Sequence, residues 1–127
     1  VVATAAAAAA LAFGVAAADT PWPLLPFYVH GGAAVRGATL SDMLRCDPTF
    51  CLHGSHCASA LLLGALVAHP MRVDDANDAR VFIFDFDAGL SAHFDDVATA
   101  EARTCMNTDH SQRMHLWLQY LRQNDHF

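Results

Sequence analysis

The chain has 127 residues, and its 7 basic and 13 acidic side chains give a formal net charge of −6. A nucleic-acid-binding domain needs a basic surface to follow the phosphates, so this balance argues against that class of partner. The length suits one compact domain better than two, since two would each be too small to bury a good core.

The first 18 residues form an apolar leader that carries no charge. Sixteen of them are apolar, and the run ends in Ala16-Ala17-Ala18 before Asp19 and a cluster of prolines. An apolar core followed by small residues is typical of a secretory signal peptide, and 18 residues also suffice to span a bilayer. We predict that residues 1–18 are a signal peptide or signal anchor whose start lies upstream, the alternative being a low-complexity leader. Residues 19–127 then form the body of the protein.

Four cysteines fit a secretory compartment: Cys46, Cys51, Cys57 and Cys105. An even number in such a chain favours two disulfides, and the sequence leaves the three pairings open. The first three cysteines, with His53 and His56, also supply the ligand types that zinc prefers. Their spacing matches no standard finger or ribbon, so we expect disulfides and no metal site.

The first half of the body predicts a strand followed by two helices. Residues 24–30 are apolar and aromatic and end at the turn residues Gly31 and Gly32, which indicates a strand. Residues 39–45 predict one or two helical turns, and residues 46–54 a loop. Residues 55–68 predict a helix that Ser55 caps and Pro70 ends, with Leu61, Leu62, Ala65 and Leu66 at helical spacing.

The second half predicts a turn, a strand and a long helix. Residues 73–80 are polar and acidic, as in a tight turn or one turn of helix, and lead into residues 81–86 (VFIFDF). Consecutive β-branched and aromatic residues describe a strand buried on both faces, as in a parallel sheet. A helix that Asp109 and Gln112 cap then presents an apolar stripe of Met114, Trp117, Leu118 and Leu121. This alternation predicts an α/β fold with right-handed crossovers.

Two carboxylates, Asp85 and Asp87, follow the predicted apolar strand. At the carboxyl end of a strand they face the crevice where α/β proteins bind ligands, and their oxygens suit a divalent metal. The segment VFIFDFDAGLS resembles the opening motif of haloacid-dehalogenase-type phosphatases, in which Asp85 would be the nucleophile and Asp87 the general acid. Ala88 and Gly89 stand where that family has Gly-Thr. Many glycosyltransferases also use Asp-x-Asp to hold a metal and a nucleotide sugar.

A longer register resembles the N-terminal half of exostosin-like glycosyltransferases. In that family an amphipathic helix leads to a turn of the type Arg-Thr-x-Asp-Pro-Glu-Glu-Ala-Asp and then to a buried strand. Arg72, Asp75, Ala79 and Phe82 fall on the matching positions, after the predicted helix 55–68. The final segment, Asp125-His126-Phe127, is similar to the Asp-His-Phe that follows the family's next helix, and residues 25–30 are similar to its opening strand.

The exostosin-like resemblance accounts for several segments in the right order, so we prefer it to the phosphatase. It implies a Rossmann-like parallel sheet with flanking helices, as an incomplete N-terminal half of a two-domain, GT-B-type inverting enzyme in the Golgi lumen or membrane. That enzyme would transfer a sugar from a nucleotide sugar to a glycan acceptor. The resemblance leaves open whether the enzyme uses a divalent metal. It implies that the donor site lies mainly in the missing C-terminal half.

The candidate site residues are therefore Asp85 and Asp87 for catalysis and Asp125 and His126 for substrate binding. The sequence has eight histidines, and His126 is singled out by its place in the Asp-His-Phe match. We expect the 127-residue chain to be inactive alone. A non-catalytic lumenal domain is the remaining alternative.

Overall fold

The computed structural model describes residues 25–51 and 57–127. The predicted leader, residues 1–18, and the predicted helix cap at Ser55 lie outside the described residues. The described residues form two compact units, one of residues 25–30 and 61–83 and the other of residues 31–51, 57–60 and 84–127.

The first unit is built on a parallel pair of strands, β1 (Phe27–His30) and β2 (Val81–Phe84). Apolar, aromatic and β-branched residues favour a strand because they pack well on a pleated surface. The mixed α/β class predicted from the sequence is confirmed, and both strands are shorter than predicted. A short 3₁₀ turn, Ala76–Asp78, precedes β2.

A second parallel contact extends β1. Phe27 pairs with Arg72 in an isolated parallel bridge, in which Phe27 N donates to Met71 O at 3.1 Å and Val73 N donates to Phe27 O at 2.8 Å. The Phe27 ring lies 5.6 Å from the His69 ring. The segment between helix and strand is therefore held by backbone hydrogen bonds as well as by packing.

The strand β2 is less buried than the sequence predicts. Its residues are partly exposed, and Val81 keeps 38% of its surface in contact with solvent. The physical reason is that β2 pairs only with β1 in the described part of the chain, so the covering elements of a larger parallel sheet are not there.

Helix α2 (Ala58–Val67) carries no charged side chain and is apolar around its circumference. Leu63 is its one buried residue in the described structure, while Leu61 is 78% exposed and Leu62 59% exposed. No helix in residues 25–51 and 57–127 is both long enough and apolar enough to span a bilayer.

The second unit begins with a 3₁₀ turn (Gly32–Val35) and the short helix α1 (Leu40–Cys46). Thr39 and Asp42 form a capping box, in which Thr39 Oγ1 accepts from Asp42 N at 2.9 Å and Asp42 Oδ2 accepts from Thr39 N at 3.4 Å. These two hydrogen bonds satisfy donors that every helix leaves open at its start. The short helix predicted over residues 39–45 is confirmed.

Three helices complete the second unit: α3 (Ala88–Val97), α4 (Ala100–Met106) and α5 (His110–Gln123). The sequence predicted α5 with its capping pair Asp109 and Gln112, and both hydrogen bonds of that box are present at 2.8 Å. It gave no prediction for α3 and α4. Helix α4 ends at Asn107, whose φ of 56° is left-handed.

Trp117 is the centre of a core in the second unit. It packs with the buried Val35 and Ala38, with Phe84, Phe86 and Tyr120 around it. Its indole Nε1 donates to the Ala38 carbonyl at 2.9 Å, which satisfies its one polar atom.

The apolar stripe predicted for α5 is only partly the buried face. Trp117 is 4% exposed and Leu118 is 47% exposed, while the fully buried neighbour one turn earlier is Arg113. The stripe prediction was wrong at Leu118, because the buried face of α5 passes through Arg113 and Trp117, four residues apart, and Leu118 lies beside that face in solvent.

Both disulfides join residues of the second unit, Cys46 to Cys105 and Cys51 to Cys57. The prediction of two disulfides is confirmed, and the pairing is now fixed. In the described part of the chain no group of three His, Cys, Asp or Glu side chains is placed to hold a metal ion. The two bonds are compatible with a secreted or lumenal protein.

Candidate functional site

The residues that directly follow the two strands lie in contact. Gly31 comes straight after β1 and Asp85 straight after β2. A Cβ added to Gly31 would lie 3.1 Å from Asp85 Cβ, so a larger residue would force Asp85 to move. The position outside the carboxyl ends of parallel strands is where α/β folds usually bind ligands.

The Asp85 carboxylate is 8% exposed and is fixed to the start of α1. Its Oδ1 accepts from Ser41 N at 2.9 Å, and its backbone carbonyl accepts from Leu40 N, also at 2.9 Å. Burial raises the pKa of Asp85 above 3.8, its ordinary value, and the nearby Asp42 charge adds to the rise, while hydrogen bonds from Ser41 and Leu40 offset part of it. Asp85 is therefore a carboxyl group held in an environment that favours its neutral form.

Asp85 forms one wall of a cleft of about 420 Å³ in the second unit. The cleft is lined by Gly32, Ala33, Arg36, Thr39, Ser41, Asp42, Arg45 and Asp85. Six of these eight residues carry a hydroxyl, a carboxyl or a guanidinium group and two of the six are arginines, so the cleft suits a polar ligand.

The other charged side chains lining the cleft are Arg45 and Asp42, which form an ion pair, and Arg36, which forms none in the described structure. Arg45 Nη2 donates to Asp42 Oδ1 at 2.8 Å, and Asp42 Oδ2 accepts from Gly37 N at 2.8 Å. Burial alone would raise the pKa of Asp42, but the hydrogen bonds from Thr39, Arg45 and Gly37 outweigh it and lower the pKa. The exposed Arg36 guanidinium has no ion-pair or hydrogen-bond partner within the described ranges.

Asp87, the second predicted catalytic carboxylate, caps α3 and does not line the cleft. Its Oδ1 accepts from Leu90 N at 2.9 Å and its Oδ2 accepts from the Ser59 hydroxyl at 2.6 Å. Burial would raise the pKa of Asp87, but these bonds and one from Gly89 N outweigh it and lower the pKa. Asp85 and Asp87 therefore accept hydrogen bonds from different elements: Asp85 from the start of α1, and Asp87 from the start of α3 and from Ser59.

The predicted substrate-binding residues Asp125 and His126 lie in an exposed turn after α5. His126 N donates to Asn124 Oδ1 at 3.0 Å. Neither residue lines the cleft beside Asp85, so the structure does not join them to the carboxylate candidates.

Sequence reasoning missed Arg36 and Arg45, which give the cleft its basic side chains. Neither belongs to a recognisable motif. The available signal was Thr39-x-x-Asp42, a capping pair that marks the start of α1 after the turn at Gly31 and Gly32. It would have marked the start of the helix that carries Arg45.

A second polar cluster surrounds the Arg113 guanidinium, which is fully buried. Its Nε donates to Ser91 Oγ at 2.7 Å, and its Nη2 donates to Ser91 O at 2.8 Å and to Asp95 Oδ1 at 2.5 Å. Its Nη1 donates to the carbonyl of Thr108. The Arg113 cluster joins α3 to α5, and the donors of the guanidinium already have acceptors within it. The cluster is therefore a structural element of the fold and not an open binding site.

Comparison with known proteins gives no family: no family model, no curated protein and no solved structure matches the chain. The function is therefore argued from the residues and their geometry.

The raised pKa of Asp85 has a measurable effect on stability. A carboxyl group with a raised pKa disfavours the folded state once it ionises, so its contribution is most favourable below pH 3.8 and is lost as the pH rises through the folded-state pKa. We expect Asp85→Asn to raise the Tm by a few degrees at neutral pH and to leave it nearly unchanged in acid. Thermal unfolding followed by circular dichroism over a pH series measures this.

Asp87→Asn is the matched control for Asp85→Asn, because the pKa of Asp87 is shifted the other way. That variant is expected to lose about 0.3–1 kcal/mol at neutral pH, the usual value of a carboxylate at a helix N-terminus, and to match the parent in strong acid. Equal effects of the two substitutions at neutral pH would contradict the assignment.

Proposed function

We propose that this chain is part of a lumenal exostosin-like glycosyltransferase and that its cleft binds the acceptor side of the substrate. The observation that carries the proposal is the polar cleft of the second unit that includes Asp85, the residue directly after β2 in the sequence, where Asp85 and Arg36 present an acceptor and a donor of hydrogen bonds. Sugar hydroxyl groups both donate and accept, so they suit such a lining.

The roles of Arg72 and Asp75 support the register on which the family resemblance rests. Arg72 Nη1 donates to the Val67 carbonyl at 3.0 Å, at the end of α2. Asp75 Oδ1 accepts from Asn77 N at 2.9 Å and caps the turn that leads into β2. Arg72 and Asp75 therefore each have a local structural role in the matched segment.

The geometry favours the transferase over the phosphatase alternative. A phosphatase of the type considered would need Asp85 and Asp87 to act together on one phosphate. Both oxygens of Asp87 already accept hydrogen bonds that hold α3 and Ser59 in place, and Asp85 Oδ1 holds α1. If these carboxylate oxygens bound a substrate instead, Leu90 N at the start of α3 and Ser41 N at the start of α1 would lose their acceptors, which is costly for a buried donor.

In the proposed enzyme this chain contributes a binding surface and a second half binds the nucleotide sugar. Asp85 and Arg36 would orient an acceptor hydroxyl, while donor binding and transfer would depend on groups outside this chain. We expect the purified chain to bind oligosaccharide weakly and to transfer no sugar. It is also expected to hydrolyse no phosphate monoester in the presence of Mg²⁺.

The test has a binding arm and an activity arm. Amide chemical shifts of the ¹⁵N-labelled chain are followed during titration with neutral oligosaccharides, and shifts concentrated on residues 32–45 and 85 are expected. A labelled nucleotide sugar with the same oligosaccharides measures transfer. Sugar transfer by the chain alone would refute the proposed division of labour, and Mg²⁺-dependent hydrolysis abolished by Asp85→Asn would support the phosphatase instead. The absence of any oligosaccharide-induced shift would favour a non-catalytic lumenal domain.

A further inference from the structure

The charges that line the cleft leave one cation without a matching anion when Asp85 is neutral. Four charged side chains face the cleft: Arg36, Arg45, Asp42 and Asp85. Arg45 and Asp42 neutralise each other through their 2.8 Å ion pair. The net charge of the cleft is then decided by Arg36 and Asp85, and it is zero or +1 according to whether Asp85 is ionised.

The available hydrogen-bond donors of the cleft are side chains and not the helix terminus. The first N–H groups of α1 are already taken, since Leu40 N and Ser41 N donate to Asp85 and Asp42 N donates to Thr39 Oγ1. The Arg36 guanidinium carries five N–H donors in a fixed fork, which fits the oxygens of a phosphate or sulfate group.

We propose that the cleft binds a tetrahedral oxyanion, a phosphate or sulfate group, on the Arg36 guanidinium, with Arg45 beside it and Asp85 as the group that controls occupancy. This rests on the proposed use of the cleft as a ligand site but not on sugar transfer. A neutral Asp85 carboxyl group can donate its proton to an oxyanion oxygen, whereas an ionised one repels the same oxygen across the cleft.

Occupancy of the cleft should therefore fall as the pH rises. The environment of Asp85 favours its neutral form, and Asp42 stays ionised because its own hydrogen bonds lower its pKa. The two arginines keep their charge throughout. Of the four charged side chains lining the cleft, Asp85 is thus the one whose pKa is raised, and its ionisation with rising pH removes the net positive charge.

Inorganic sulfate is the probe of choice, because it stays a dianion across the pH range of the titration, so a change in affinity with pH reports on groups of the protein. The affinity is measured by amide chemical shifts of the 127-residue chain at constant ionic strength set with sodium chloride. We expect sulfate to bind the parent chain more weakly as the pH rises. Asp85→Asn should bind about tenfold more tightly than the parent at the upper end of the range, with little dependence on pH.

Three further variants test whether sulfate binding depends on the Arg36 guanidinium or only on positive charge anywhere on the protein. Arg36→Gln should abolish binding, Arg36→Lys should retain part of it, and Arg122→Gln, an exposed arginine of α5 away from the cleft, should bind like the parent. Arg36 is exposed and its guanidinium makes no described hydrogen bond, so these chains are expected to fold, which their Tm values check. Equal binding by Arg36→Gln and the parent would overturn the proposal, as would an affinity that does not change with pH.

The source of the oxyanion is distinguished by comparing inorganic phosphate, glucose 6-phosphate and glucose. Tighter binding of glucose 6-phosphate than of phosphate assigns the group to a sugar phosphate, and equal binding assigns the site to the free ion. Glucose binding as tightly as glucose 6-phosphate would overturn the role of the oxyanion while leaving the proposed acceptor surface intact. Failure of neutral oligosaccharides to bind, with sulfate still bound, would overturn only the acceptor surface.

Discussion

Replacing Arg113 with methionine is expected to destabilise the protein by about 1.5–3 kcal/mol, the usual range for a hydrogen bond to a charged group, because the guanidinium is buried while Asp95 keeps 28% of its side chain in solvent. The guanidinium is fully buried and donates to Ser91, Asp95 and Thr108. Methionine fills much of the volume but donates nothing, so Asp95 loses its ion pair and two carbonyl groups lose their hydrogen bonds. Since small domains are stable by about 5–15 kcal/mol, the loss would be a large part of the total.

Urea unfolding followed by tryptophan fluorescence measures this change, with Trp117 one turn from Arg113 in α5 as a reporter. Arg122→Met is the control, because Arg122 is an exposed arginine of the same helix and should change stability by less than about 0.5 kcal/mol. Arg113→Lys keeps the charge without the fork and is expected to fall between the parent and Arg113→Met. A loss below about 1 kcal/mol for Arg113→Met would show that the cluster does not stabilise the fold as described.

Removing the Cys46–Cys105 disulfide by a double Cys→Ser substitution is expected to cost about 4 kcal/mol, and removing the Cys51–Cys57 disulfide about 2 kcal/mol. The difference comes from the loops that the bonds close, since the sequence separations are 59 and 6 residues. A longer loop restricts the unfolded chain more, so its cross-link stabilises the folded state more.

The two double variants are each other's control, because both remove one disulfide from the second unit. Denaturant unfolding of both, beside the fully oxidised parent, gives the two differences in the free energy of unfolding. A larger loss for the Cys51–Cys57 variant would contradict the loop-length explanation. It would show that the Cys51–Cys57 disulfide works mainly by stabilising the folded state at the start of α2, and not by restricting the unfolded chain.

Local signals in the sequence predicted most of the described elements. The capping pair Asp109 with Gln112 predicted the start of α5, because it satisfies helix donors through neighbours in the sequence. Thr39 with Asp42 caps α1 in the same way, although the short helix was predicted without that pair. Helix α3 escaped prediction although Leu90, Phe94 and Val97 stand at helical spacing, and α4, of only seven residues, although Thr99 caps its start. Asp87 was interpreted as a catalytic candidate when its structural role is that of a helix cap.

The candidate site could be predicted only in part, for a physical reason. The position of Asp85 follows from local information, since a carboxylate after an apolar strand lies at the strand's carboxyl end. Its neighbours do not, because Ser41 is 44 residues away and the contact depends on how α1 packs. The buried Arg113 shows the same limit: a charge on a helix predicts a solvent-exposed face unless its partners on another helix are known.

The long-range ties of the second unit have a consequence for the order in which the chain acquires structure. Cys46 to Cys105, Gly37 to Thr108 and Ala38 to Trp117 join residues that are 59, 71 and 79 positions apart. Contacts of such separation form late, because the loop between them must close before they stabilise anything. During synthesis, Cys46 has no native disulfide partner until Cys105 has been made, 59 residues later. Since disulfide formation is slower than the formation of local helices, we expect the closing of this bond to be a slow step in the folding of the second unit.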